Sequence, residues 1–197
     1  MSIYSRQESL NLNTDQSVII IGVGGVGWHL AKGLCMAGIS HIEMFDNDVV
    51  EAHNLPRLDV PFSCIGKNKA RLLKLFFDQM RPDNNHASYP YKFDPDVIVD
   101  PSLFDWVIDC TDNHESQLQN QNFAREHGLK YMKVGYDGKH ITISGTVAEW
   151  DTNPDGSDDG YSITPSYISP AVIVAGLAID MILSGEMRHV SLNINEI

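Results

Sequence analysis

The hydrophobic positions of the chain fall into short continuous runs and longer runs with helical spacing. Residues 17–21 form a β-branched run without polar alternation, which is typical of a central parallel strand buried on both faces. Residues 26–37, followed by Gly38, have the spacing of a helix, and residues 42–46 have the character of a second strand. The beginning of the chain therefore predicts a strand–helix–strand unit.

The same alternation continues to the end of the sequence. Apolar side chains recur at helical spacing over residues 66–80, and Pro82 predicts that this helix stops there. The remaining predicted elements are a strand at 106–110, a helix at 115–127, a strand at 130–135, an antiparallel strand at 141–150 and a helix at 170–183. This order predicts an α/β fold: a Rossmann-like, doubly wound, mostly parallel sheet with antiparallel additions near the C-terminus.

Length and charge limit the function classes. The 197 residues fit a single domain, 1–197, with an N-terminal arm at 1–16 and a mobile crossover-type loop at 151–168. The net charge of −12 argues against general binding to nucleic acid or to an anionic membrane. The longest apolar run, residues 171–183, is shorter than the ~20 residues that span a bilayer. We therefore expect neither a nucleic-acid nor a membrane partner.

The candidate ligand-binding residues lie where predicted strands end. Gly22, Gly24 and Gly27 satisfy the G-x-G-x-x-G pattern, which brings backbone N–H groups close to phosphates at a helix N-terminus. Asp46 ends the second strand, at about the 20-residue offset where a carboxylate accepts hydrogen bonds from ribose. Asp112 follows a later strand. In a doubly wound sheet these positions share one crevice.

Further polar residues bear on whether the nucleotide is ATP or NAD, which the glycine pattern alone leaves open. Adenylyl transfer needs cations beside a triphosphate and a carboxylate for Mg²⁺, and Arg57, Lys69 and Asp112 meet that need. Asn54 can hold a phosphate or ribose oxygen. Taken alone, Lys69 could be a solvated lysine, and Asp112 could be an Asx turn or the N-cap of the next helix. Together these residues favour ATP.

Four motifs in this order resemble the adenylation domain of the E1, ThiF, MoeB and HesA superfamily. They are Gly-Val-Gly-Gly-Val-Gly at 22–27, Asp-Asn-Asp-Val-Val-Glu-Ala-His-Asn-Leu-Pro-Arg at 46–57, Ile-Gly-Lys-Asn-Lys-Ala at 65–70 and Asp-Cys-Thr-Asp-Asn at 109–113. That family activates the C-terminal carboxylate of ubiquitin-like and sulfur-carrier proteins. The resemblance therefore implies an ATP-dependent adenylyltransferase that forms an acyl-adenylate and releases pyrophosphate.

The resemblance also implies a role for each matching residue. Asp46 would bind the ribose, and Asn54 and Arg57 would contact the nucleotide and its phosphates. Lys69 would neutralise charge on the phosphates, and Asp112 would hold Mg²⁺. The positions expected to contact ATP are Gly22, Gly24, Gly25, Gly27, Asp46, Asp48, Asn54, Arg57, Lys69 and Asn113.

The N-terminal segment Tyr-Ser-Arg-Gln at 4–7 resembles a family segment whose arginine reaches the ATP site of a neighbouring subunit. The resemblance therefore implies that Arg6 is a catalytic arginine finger supplied in trans and that the protein is a homodimer. An arginine in a disordered tail remains the alternative. The loop at 151–168 lies where relatives cover the tail of the bound carrier protein, which we expect to end in Gly-Gly.

The cysteines limit how far the chemistry proceeds. There are three, widely spaced, and no Cys-x-x-Cys pair, so we expect a reducing compartment, the cytoplasm, and no zinc. Cys110 is the last of them and is interpreted as a small buried residue, so the protein should lack its own catalytic cysteine. The alternatives are a non-catalytic E1-like partner subunit, an NAD-dependent oxidoreductase, and an enzyme that activates a small-molecule or RNA-linked carboxylate.

Overall fold

The computed structural model describes residues 2–97, 100–147 and 165–196. Within these ranges the chain alternates strands and helices, as the sequence predicts. The strands are β1 Ser17–Ile21, β2 His41–Phe45, β3 Asn85–Tyr89, β4 Trp106–Asp109, β5 Lys130–Asp137, β6 His140–Ser144 and β7 Val190–Asn193. The α-helices are α1 Gly25–Ala37, α2 Lys69–Met80, α3 His114–Glu126 and α4 Ile168–Ser184.

The strands form one mixed sheet in the order β3-β2-β1-β4-β5-β6-β7. Strands β1 to β5 pair in parallel, and β6 and β7 are added antiparallel. The predicted fold class is thereby confirmed. Because the chain leaves β1 toward β2 and later returns beside β1 as β4, the carboxyl ends of β1 and β4 flank the switch point where such sheets bind ligands.

Helices cover both faces of the sheet. Helices α1, α2 and α4 bury their apolar side chains against one face, where Val18 and Ile20 of β1 are fully buried. Helix α3 packs on the other face through Phe123, beside Ile19 and Ile21. Strand β1 is therefore enclosed on both faces, which explains its unbroken β-branched sequence. No helix among the described residues is long and apolar enough to cross a bilayer.

The two edge strands, β3 and β7, were not predicted from the sequence. Strand β3 is polar and mostly half-exposed, and β7 is short and half-exposed. Each pairs with a neighbour on one side only among the described strands, so neither needs the β-branched run that identifies a buried strand. The antiparallel strand predicted at 141–150 is shorter and ends at Ser144, and residues 148–150 lie outside the described residues.

Two further boundaries differ from the prediction by a few residues. Helix α2 begins at Lys69 rather than at residue 66, since the Asn68 side chain accepts a hydrogen bond from Arg71 N at 3.0 Å. Helix α4 begins at Ile168, so the predicted loop at 151–168 ends one residue earlier, and its residues 151–164 lie outside the described residues. The single-domain interpretation stays a prediction.

Candidate nucleotide-binding site

The turn after β1 is built around two glycines. Gly22 has φ +85°, and a Cβ there would lie 2.9 Å from the Cys110 carbonyl oxygen. A Cβ at Gly27 would lie 2.0 Å from the Gly22 carbonyl oxygen. Neither position accepts a side chain without backbone movement. The β1 turn therefore packs tightly against the end of β4, whereas at Gly24 no heavy atom lies within 4 Å of a Cβ position, so that side of the turn is open.

Two side chains lie over the start of α1. The Cβ position of Gly25 would be 3.0 Å from Arg57 Cδ and 3.3 Å from the Tyr136 hydroxyl oxygen. The Arg57 guanidinium donates from Nη1 to the His53 carbonyl oxygen at 2.9 Å. Arg57 thus lies beside the glycine turn, and its contact with the nucleotide stays a prediction. The first-turn N–H groups of α1 lack intrahelical partners, so this is a favourable place for an anion.

Asp46 connects β2 to the glycine turn. One carboxylate oxygen accepts a hydrogen bond from Val23 N at 2.7 Å, and the other accepts one from Asp48 N at 2.8 Å. Burial raises the pKa of Asp46 above its ordinary value, although these hydrogen bonds and the charge of Lys69 work in the opposite direction. Asp46 therefore shapes the turn itself, and its remaining lone pairs are what a ribose could use.

Lys69 is buried, so its interpretation as a solvated lysine is wrong. It opens α2 with only 8% of its surface exposed, and its Nζ lies 3.0 Å from Asp48 Oδ2. The Asp48 side chain is 61% exposed. Asn68 holds this corner together, because its Nδ2 donates to the carbonyl oxygens of both Asp46 and Asp48. A lysine ammonium is thus fixed at the carboxyl end of β2.

Asn54 is also buried and already has a structural role. It is 3% exposed, and its side-chain oxygen accepts a hydrogen bond from Glu51 N at 3.0 Å, in a reciprocal cap of the short helical turn Ala52–Asn54. This turn leads directly into Arg57. Asn54 therefore shapes the segment that presents Arg57, and its role as a direct nucleotide contact stays a prediction.

A buried carboxylate organises the end of β4. Asp109 is fully buried; one oxygen accepts from the Thr111 N–H and hydroxyl, and the other accepts from Asn120 Nδ2 at 2.8 Å and the Tyr131 hydroxyl at 2.9 Å. Asp112 follows on this loop and is exposed. Asp109 therefore fixes the backbone of the loop that carries Asp112, and the predicted metal role of Asp112 stays a prediction.

The N-cap of α3 is Asn113, so the alternative interpretation of Asp112 as the cap is wrong. The Asn113 side chain accepts a hydrogen bond from Ser116 N at 2.9 Å. Its predicted nucleotide contact remains untested. Burial and the nearby Asp109 carboxylate raise the pKa of the Cys110 thiol well above its usual range. A thiol held in its protonated form is a poor nucleophile, which agrees with the structural interpretation of Cys110.

Arg6 does not lie at the site of its own chain. It is exposed, and its neighbour Gln7 donates from Nε2 to the carbonyl oxygen of Ala37 at the last residue of α1. Tyr4, also in the arm, accepts a hydrogen bond from Arg81 Nε at 2.9 Å. The site lies at the other end of α1, about 20 Å away for a helix of 13 residues. Arg6 can therefore serve an ATP site only from another subunit.

Sequence reasoning missed residues that only packing brings to the site. Tyr136 was beyond the predicted strand 130–135, but β5 continues to Asp137 and carries its hydroxyl to Gly25. That hydroxyl also bonds to the Ser166 hydroxyl, just before α4. The alternation of residues 130–137 is the sequence signal that extends this strand beyond residue 135. Within the described ranges, no group of three or more His, Cys, Asp or Glu side chains could hold a metal ion.

Comparison with known proteins agrees with this geometry. The ThiF family model matches residues 3–162. The molybdopterin-synthase adenylyltransferase of Haemophilus influenzae is 28% identical over 167 residues, which cover 83% of this chain and 62% of that protein. Ubiquitin-like modifier-activating enzyme 5 of Dictyostelium discoideum is 28% identical over 155 residues, covering 72% of this chain and 40% of that enzyme. The chain thus spans between about two fifths and three fifths of these relatives.

Two solved structures share the fold. E. coli MccB, crystallised with AMPCPP and MccA, superposes with a TM-score of 0.73 at 16% identity, over 91% of this chain and 64% of MccB. E. coli TcdA, a tRNA N6-threonylcarbamoyladenosine dehydratase, gives a TM-score of 0.71 at 18% identity, over 90% of this chain and 87% of TcdA. The fold and the site define a Rossmann-like α/β domain with a polar crevice at the switch point of its sheet. The chain belongs to the ThiF family.

Proposed function

We propose that this chain is an adenylation domain that uses ATP and Mg²⁺ to activate the C-terminal carboxylate of a ubiquitin-like or sulfur-carrier protein ending in Gly-Gly. The products are a protein acyl-adenylate and pyrophosphate. The observation that carries the proposal is the convergence of two cationic side chains, Arg57 and Lys69, on the end of the sheet that holds the glycine turn. An NAD-dependent dehydrogenase needs little positive charge beside the cofactor phosphates.

The contacts around the turn suit a triphosphate. The open side of Gly24 and the first-turn N–H groups of α1 offer donors to phosphate oxygens, and Arg57 lies directly beside them. Lys69 is held within 3.0 Å of an exposed carboxylate, Asp48, so its ammonium is at the crevice rather than in the core. These fixed charges stabilise the developing charge without reorganisation, which is the main source of catalysis in phosphoryl chemistry.

The proposed reaction breaks one bond and forms one. A carboxylate oxygen of the carrier attacks the α-phosphorus of ATP, the bond from that phosphorus to the bridging oxygen breaks, and the electron pair leaves with pyrophosphate. Arg57 and Lys69 would stabilise the negative charge on the phosphates. Asp46 would accept hydrogen bonds from the ribose through the lone pairs that Val23 and Asp48 leave unused.

The donor set at the end of β4 fits Mg²⁺. This ion is usually bound through one or two carboxylates together with substrate phosphates and waters, rather than by an all-protein cage. Asp112 is exposed beyond the carboxyl end of β4 and offers one carboxylate, while Asp109 is occupied by four hydrogen bonds. Asp112 would hold the ion, and bound Mg²⁺ supplies charge neutralisation on the phosphates.

The acyl group would be transferred to a nucleophile outside this chain. Cys110 is the last cysteine of the chain, and burial disfavours its thiolate, so we propose that the acyl-adenylate passes to a nucleophile outside this chain. We also propose a homodimer in which Arg6 reaches the partner's site, because Arg6 lies at the far end of α1 from its own glycine turn. The free cysteines are compatible with the cytoplasm.

ATP–pyrophosphate exchange with a small Gly-Gly-terminated carrier protein tests the proposal. Wild-type protein should catalyse exchange, and Asp112→Ala should lower it by roughly 100-fold or more, as loss of a group that stabilises transition-state charge does. Asp83→Ala is the matched control, because Asp83 is also exposed but lies beyond α2 at the opposite end of the sheet. Exchange that persists unchanged in Asp112→Ala would remove the assigned metal role.

Calorimetric titration separates the other functions. ATP binding without exchange, together with a stable heterodimer on co-purification, would favour a non-catalytic partner subunit. Tight NADH binding without ATP binding would replace the proposal by an oxidoreductase. Light scattering tests the dimer: a strict monomer would remove the role of Arg6 in trans.

A further inference from the structure

The segment that carries Arg57 is held against α1 by side-chain hydrogen bonds. The Trp28 indole N–H donates to one oxygen of Asp59 at 2.5 Å, and the Lys32 ammonium pairs with the other oxygen of the same carboxylate. His29 Nε2 lies 2.9 Å from the carbonyl oxygen of Arg57 itself. Arg57 and Asp59, the residues on either side of Leu58, are thereby both held to α1.

The helix that makes these contacts is the one that the glycine turn begins. Trp28 and Lys32 are one turn apart on α1, and His29 directly follows Trp28, so all three lie on one side of the helix. Gly25, four residues before His29, lies beneath the Arg57 side chain. Helix α1 therefore fixes Arg57 at two levels: its backbone at His29 and its side chain at Gly25.

The charge and burial of Trp28, Lys32 and Asp59 explain why these side chains pair with one another. Trp28 is fully buried, so its N–H requires an acceptor, which Asp59 supplies. Burial of the Asp59 carboxyl tends to raise its pKa, but hydrogen bonds from Lys32 and Trp28 and the Lys32 charge outweigh burial and lower the pKa overall. Asp59 is thus ionised and accepts from both donors. The His29 ring donates from Nε2, since its partner is a carbonyl oxygen.

We propose that Asp59 and His29 are positioning residues for Arg57, holding its side chain beside Gly25 so that its guanidinium can meet the phosphates of ATP. The proposal rests on the proposed function, which assigns that contact to Arg57. It adds that Asp59 and His29 act on the nucleotide through Arg57 alone. A small misplacement of a charged group lowers its interaction with a phosphate steeply, so the fastening matters for binding.

A double-mutant cycle on ATP affinity tests this dependence. In the wild-type background, Asp59→Asn should weaken binding of ATP, measured by calorimetry with Mg²⁺ present, by about three- to tenfold. Arg57→Ala should weaken it by about tenfold or more. Added to Arg57→Ala, Asp59→Asn should cause less than about a twofold further loss, because the residue through which it acts is absent.

Two further variants keep the test independent of folding. Asp78→Asn is the matched control: Asp78 pairs with Lys74 on α2, and its side chain is 49% exposed against 51% for Asp59. It should leave ATP affinity unchanged. His29→Leu should reproduce the effect of Asp59→Asn, and His29→Gln should restore affinity, because a glutamine amide can donate to the Arg57 carbonyl. Melting temperatures confirm that each variant is folded.

The ATP affinities of these variants can overturn the inference in two ways. An Asp59→Asn loss of equal size with and without Arg57 would mean that Asp59 acts on the fold in general, and the inference would be overturned. It would also be overturned if Arg57→Ala weakens ATP binding while Asp59→Asn and His29→Leu do not. Failure of the wild type to bind ATP would instead overturn the proposed function, and this inference with it.

Discussion

The loops that follow β2 and β4 are built on the same plan with different partners. Each begins with a buried aspartate, Asp46 or Asp109, whose oxygens accept hydrogen bonds from the loop's own backbone. Each then presents an exposed aspartate, Asp48 or Asp112, at the carboxyl edge of the sheet. In both loops the buried carboxylate determines the shape of the backbone, and the later one is available for chemistry.

The difference lies in what surrounds the buried carboxylate. Asp109 is held by the neutral donors of Thr111, Asn120 and Tyr131, which belong to its own loop, to α3 and to β5. Asp46 instead contacts the glycine turn and lies near the cation of Lys69. The β4 loop is therefore a rigid support, whereas the β2 loop is electrostatically coupled to the site.

Asp109→Ala should give the largest effect on stability. It leaves the buried Asn120 amide without the Asp109 acceptor and removes the shorter of the two hydrogen bonds that the Tyr131 hydroxyl makes to described residues, which should lower the free energy of unfolding by about 3 kcal/mol. Urea denaturation measures the loss. The matched control, Asp112→Ala on the same loop, should change stability by less than about 0.5 kcal/mol because Asp112 is exposed. Equal losses for the two variants would contradict the division of roles.

Lys69→Met should weaken ATP binding by roughly 10- to 100-fold, because it removes a fixed cation while keeping a long apolar stem. Asp48→Asn, which removes the exposed partner of Lys69, should change the affinity much less. Calorimetric titration of ATP measures both. A larger loss for Asp48→Asn than for Lys69→Met would show that the carboxylate, and not the ammonium, is the main contact of the β2 loop.

The coupling of the β2 loop can be followed through the titration of Asp46. Carbon-13 NMR of its carboxyl carbon should give a pKa above the ordinary value of 3.8, because burial dominates. Lys69→Met should raise this pKa further, since the Lys69 charge lowers it. For a carboxyl whose folded pKa is raised, the contribution to stability is present below the unfolded pKa and is lost as the pH rises through the folded one. A wild-type midpoint at or below 3.8 would contradict the dominance of burial, and an unchanged midpoint in Lys69→Met would contradict the coupling.

The smallest effect is expected at Cys110, which lies in the β4 loop but is held in its thiol form. Cys110→Ala should leave pyrophosphate exchange within about twofold of wild type, because Cys110 is half-buried and its raised thiol pKa disfavours the thiolate that would act as a nucleophile. A stable thioester on Cys110, or a loss of exchange greater than about tenfold, would instead make it a nucleophile.

The parts of the fold that the sequence predicted are those where burial dictates residue type. Strand β1, enclosed on both faces, required an apolar run, and the glycine turn required Gly22 and Gly27. The edge strands β3 and β7 lack that demand and were missed. For Lys69, the sequence predicted only part of the environment. Its charge suggested a phosphate contact, but its burial and its pairing with Asp48 depend on where α2 begins.

By itself, the sequence determined the fold class and the chemical types gathered at the ends of β1, β2 and β4, because burial periodicity and turn geometry are local constraints. Only the tertiary structure decided which carboxylates are buried supports of the loops and which are exposed, that the N-terminal arm with Arg6 lies at the far end of α1, and that Tyr136 reaches Gly25. Those outcomes depend on distances between segments remote along the chain, which packing alone sets.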